Sequence, residues 1–167
     1  MGDHGAAVAV GLFSTRRVKR VAPGRYRIAL PGPERELLTT LVPQLRELLT
    51  TDDPSLNRLF PTAYADDPER DAGYHAMVRD ELLEKRFHSL DVLERTVEGG
   101  EVDEETLASW MRALNDLRLV LGTRLDVSED DDPMDIDPDD PLAPAWSIYH
   151  YLAALQSMII DALSQEL

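Results

Sequence analysis

Two carboxylate–imidazole pairs stand at i,i+4 spacing, Asp71 with His75 and Glu84 with His88, and each could share one helix face. A carboxylate-bridged two-metal bundle needs a Glu-x-x-His on two helices and a further glutamate on each of two others, and this sequence has no Glu-x-x-His. A zinc-hydrolase His-Glu-x-x-His is absent too. The run Asp135-x-Asp137-x-Asp139 begins like a calcium loop, but the turn glycine is replaced by Asp140 and the closing glutamate by Trp146. The sequence carries no Gly-x-Ser-x-Gly, phosphate-binding loop or dinucleotide fingerprint. No catalytic residue, no metal and no cofactor is expected, and the protein reads as a non-enzyme.

Two other sets of residues carry interaction chemistry. Arg16, Arg17, Lys19, Arg20, Arg25 and Arg27 crowd residues 16–27. Each could neutralise a phosphate in a salt-sensitive contact, or pair with the acidic body of the same chain. The second set lies in Arg58-Leu-Phe60-Pro-Thr-Ala-Tyr64 and in the helical run from Trp110 to Leu125. In that run Asn115, Arg118 and Gly122 flank an apolar stripe, Arg112 and Asp116 are an i,i+4 pair, and Arg124 follows. Polar groups taken from water there must find hydrogen-bond partners. Arg58, Phe60, Tyr64, Trp110, Arg112, Asn115, Asp116, Arg118 and Arg124 therefore read as a structural or docking network, with Gly122 admitting a close neighbour.

The elements that must position these residues are mostly helices. Val18, Val21, Tyr26, Ile28 and Leu30 alternate with basic residues around Pro23-Gly24, which predicts a β-hairpin with Arg25, Arg27 and Lys19 on its open face. Leu37, Leu38, Leu41, Leu45, Leu48 and Leu49 mark a first helix after Gly32, with a kink expected near Thr39–Thr40 from Pro43. A short turn follows over 55–60. Asp67-Pro68 opens a helix reaching Val97, with a break expected near Arg86–Ser89 on grounds of length. Asp103 to Leu125 is the strongest helical stripe, and a last helix runs from near Pro144 to the end of the chain. The fold class is mainly α: an antiparallel bundle of four to five helices with a small N-terminal β-hairpin. Residues 1–15 are expected to be a loose N-terminal segment, and residues 16–167 a single helical domain with an acidic loop at 126–141.

The 167 residues suit one domain and bury a sizeable core. They contain no cysteine, which excludes disulfides and thiolate metal sites within them. The net charge of −15 is unevenly spread: residues 1–30 carry +5 and residues 31–167 carry −20. That asymmetry predicts two surfaces with different partners. No apolar run spans a membrane and no basic leader precedes the small residues near the N-terminus, so the expected location is the cytoplasm.

Arg58-Leu-Phe-Pro-Thr-Ala-Tyr64, the following Asp-Asp-Pro-Glu, and Trp110 to Leu125 together resemble an actinobacterial family of unknown function that includes AosR-like actinomycete oxidative-stress regulators. The resemblance runs from about Val18 to the C-terminus, with Leu114 to Leu125 its most specific stretch. It implies a cytoplasmic regulator acting through protein contacts, with a sigma factor or another transcription component as the partner. Redox-sensing members use a cysteine pair, which this sequence lacks, so disulfide sensing does not carry over. A nucleic-acid contact through residues 16–27 and homo-oligomer formation are the competing partner readings, and a small-molecule or metal-dependent enzyme is the outlying alternative.

Overall fold

The computed structural model describes residues 16–60, 66–127 and 137–165, the His75 side chain excepted. The expectations for residues 1–15, for Tyr64 and for most of the acidic loop lie outside those residues. Strands β1 (Val18–Ala22) and β2 (Arg25–Ile28) form the expected hairpin, turning at Gly24 with φ 68°. Helix α1 is Gly32–Leu48, a 3-10 turn covers Pro54–Leu56, α2 is Pro68–Thr96, β3 is Gly100–Asp103, α3 is Glu104–Leu125 and α4 is Ala143–Ser164. The fold is mainly α, as the apolar spacing implied.

Local chemistry explains where the elements begin. Proline occupies the first turn of α1, α2 and α4, where its missing N–H costs nothing. The side chains of Asp67 and Asp103 cap α2 and α3 by accepting from the backbone N–H of Arg70 and Thr106. Helix α3 ends on Asp126 in the left-handed conformation, φ 54°.

Two expectations need correction, on α2 and on the end of the last helix, and the hairpin is borne out but extended. Helix α2 runs without a break through Arg86–Ser89, because Leu90, Leu93 and Val97 anchor its second half in the core and packing offsets the cost of length. The hairpin is part of a three-stranded antiparallel sheet of order β1-β2-β3, in which Tyr26 pairs with Val102 and Arg27 with Glu101. Gly99 makes that third strand reachable: its φ is 94°, and a Cβ there would lie 2.5 Å from the Ile28 carbonyl oxygen, so only glycine fits. The last helix stops at Ser164. Helix α1 continues through Pro43.

One core joins all layers. Ile28 and Tyr26 from the sheet, Leu38 and Val42 from α1, Leu49 just past its end, Leu90 and Leu93 from α2, Trp110 and Leu114 from α3, and Leu155 and Ile159 from α4 are buried together. Helix α3 is the hub, packed against α2 on one side and α4 on the other. The first half of α2 stands differently: among the described side chains from Pro68 to Lys85 none is buried, and Met77 is 84% exposed.

Candidate functional site

Helix α3 organises two features, a polar node on the α2 side and an apolar groove on the α1 side. The node centres on Asp116, which is 2% exposed. Its Oδ1 accepts from Arg86 Nη1 of α2, while Arg86 Nη2 donates to the Leu59 carbonyl at 2.9 Å. Arg86 thereby ties α2, α3 and the turn after the 3-10 segment into one unit. Two guanidinium groups lie over the Phe60 ring, Arg79 at 5.2 Å and Arg86 at 5.3 Å from its centroid. Burial pushes the Asp116 carboxyl up, and the attraction of Arg86 and then Arg112 only partly offsets this.

The i,i+4 pairing of Arg112 with Asp116 is thus replaced by a tertiary pairing of Asp116 with Arg86. Arg112 donates instead to Ser89 Oγ at 3.2 Å and to Ser109 Oγ at 3.3 Å. Trp110 is fully buried, and its Nε1 donates to Thr96 Oγ1 at 2.7 Å. Arg58 is exposed, donates to the Val127 carbonyl at 3.0 Å, and lies against Gly122: a Cβ on Gly122 would meet Arg58 Nη1 at 3.2 Å and Tyr149 at 3.1 Å. Asn115 and Arg118 are half-buried on the same helix. Arg86 is the member that sequence reasoning missed, since nothing local links it to a residue thirty positions away.

Arg124 belongs to the second feature. A groove of about 360 Å³ opens between α1 and α3. Its walls are Leu41, Leu45 and Leu48 on one side, Leu117, Val120 and Leu121 on the other, with Leu152 of α4 beneath. Gln44, Glu47, Thr51 and Arg124 complete the lining.

The basic segment is largely committed within the chain. Arg17 is buried and pairs with Glu34 at 3.1 Å. Arg20 donates to the Gln165 carbonyl. Arg25 and Arg27 both pair with Glu101 on the exposed face, at 2.8 and 3.4 Å. Among the described residues Arg16 and Lys19 are exposed and make no ion pair. Among the described residues, no group of three or more histidines and acids converges as a metal site.

Comparison with known proteins places this architecture. Residues 15–163 match the family described as Domain of unknown function (DUF2017). The proteins called oxidative stress regulator AosR in Mycobacterium tuberculosis and Mycobacterium bovis are each 30% identical to this chain over 107 residues, which is 62% of this chain and 49% of theirs. The match thus spans about half the length of those relatives. No solved structure matches.

Proposed function

The chain belongs to the DUF2017 family, and from that premise we propose that it is a non-enzymatic cytoplasmic regulatory protein, acting through protein–protein contacts in the control of transcription. The observation that carries this reading is the likeness to proteins named as oxidative stress regulators. Two features support it. The polar node joins α2, α3 and the Leu59–Phe60 turn into one rigid frame, and the exposed first half of α2 together with the open groove offers surface to a partner. The 167 residues hold no cysteine, so the regulation proposed for them does not run through a disulfide.

A nucleic-acid contact through residues 16–27 is the rival reading, favoured by the exposed Arg16 and Lys19, which make no ion pair among the described residues. Four of its six cations already contact groups of the same chain, which lowers the charge available to phosphates. Affinity capture from host lysate at low and at moderate salt decides between them. Retention of a sigma factor or another transcription component at moderate salt is the expected result. Nucleic acid alone, released as salt rises and lost in Arg25→Glu/Arg27→Glu, would overturn the regulator reading.

A further inference from the structure

We propose that the groove between α1 and α3 receives the apolar face of an amphipathic helix with basic flanks, contributed by a protein partner. The proposal deepens the regulatory reading above and rests on it. The walls are aliphatic, and the polar groups are few. The volume, about 360 Å³, is at the lower end of ligand cavities, which run from roughly 300 to 1,000 Å³. A polar metabolite would find no converging set of donors, whereas leucine-type side chains at i, i+3 and i+4 would meet matching walls.

Charge selects the flanks. Glu47 lines the groove and makes no ion pair among the described residues. Glu36 lies exposed along the same face of α1, at helical spacing from Gln44 and Glu47. The groove also reaches Thr51, past the end of α1, where the helix dipole is negative. Arg124 is the one cation in the lining, and it sits within electrostatic reach of Asp53. A small anion held by Arg124 would therefore face Glu47 and Asp53, while the Thr51 carbonyl beyond α1 already accepts from Arg79 at 3.3 Å. Lysines or arginines flanking a leucine stripe would face complementary charge, on a body carrying −20 over residues 31–167.

The test uses synthetic peptides of about 18 residues, long enough for a helical face. One has a leucine stripe flanked by lysines, a second has the same stripe flanked by glutamates, and a third is a scramble of the lysine peptide. Binding to the full chain is followed by calorimetry at moderate salt. The lysine peptide is expected to bind saturably and at least about tenfold more tightly than the other two. Gln44→Trp, at an exposed rim position, should weaken it about tenfold by capping the groove, and Glu47→Lys should shift preference toward the glutamate peptide. Equal binding of the scramble, or no effect of Gln44→Trp, would overturn the proposal by showing attraction to the acidic surface alone. No binding of any peptide, or loss of a self-associated species in Gln44→Trp, would overturn it as well, the latter by assigning the groove to a second copy. If lysate capture retains a transcription component equally with wild type and Gln44→Trp, the groove assignment fails while the regulatory reading stands. Peptide binding without any retained component gives the reverse.

Discussion

The Arg86–Asp116 contact inside the helices and the Arg25–Glu101–Arg27 contact on the sheet use the same two chemical groups, and the carboxylates respond in opposite directions. Burial raises Asp116 in spite of its arginine, whereas the hydrogen bond from Arg25 lowers Glu101, which stays in water. Solvent decides what an arginine–carboxylate pair means. In the interior the pair is costly to form and more costly to break, and it fixes how α2, α3 and the Leu59 turn meet. On the sheet it neutralises charge and holds little of the fold.

The contrast requires a dry interior around α3, so the largest effect should come from opening it. Trp110→Ala removes a fully buried indole and its bond to Thr96, and should cost about 4 kcal/mol in denaturant unfolding. A cost under about 0.5 kcal/mol would mean that this face of α3 is wet. Next comes Arg86→Leu, which strands the Asp116 carboxylate and should cost about 3 kcal/mol at pH 7. Its pH dependence has a definite sign. Asp116 has a raised carboxyl pKa in the fold, so its protonated form is favoured there, and the variant should recover stability as pH falls through that raised value. A cost that does not change as pH is lowered from neutral through the carboxylate range would detach the loss from the Asp116 charge.

Gly99 tests the other side of the contrast, where backbone rather than charge holds the sheet. Gly99→Ala places a Cβ 2.5 Å from the Ile28 carbonyl at φ 94°, and should cost about 2 kcal/mol or more while detaching β3. Hydrogen exchange at Val102 and Glu101, which pair with β2, would rise first. Unchanged protection there would show that side-chain pairing, not the tight Gly99 turn, retains the third strand.

Particular residues show what the sequence could disclose. Capping aspartates, first-turn prolines and leucine spacing locate each long helix, because those signals act within a few residues. Alternation around Pro23-Gly24 gives the hairpin for the same reason. Strand β3 was hidden: Gly-Glu-Val-Asp has a single apolar residue, and Gly99-Gly100 reads as a helix stop. Nor could spacing identify the partner of Asp116. An i,i+4 arginine stands in the same helix, and the actual partner is fixed only by how α2 packs on α3. The groove escaped notice because the leucines that line it look identical in sequence to those of the core.

The smallest effect is the most discriminating for the exposed pair. Arg25→Ala and Arg27→Ala should leave the thermal midpoint within the scatter of replicate scans, since both arginines and Glu101 are solvated. The carboxyl itself should still report them. Its native pKa lies below the ordinary glutamate value, so any stability it adds is present above that value and fades as pH falls through the lowered one. Titration of the Glu101 carboxyl carbon by NMR should show that depression shrinking with added salt. Arg25→Ala should remove more of it than Arg27→Ala, because the Arg25 bond at 2.8 Å is the leading cause and the Arg27 contact at 3.4 Å a minor one. If the depression survived high salt, or if Arg27 proved the stronger partner, Glu101 would be shielded from water, and the division between a dry interior pair and a wet surface pair would no longer describe this molecule.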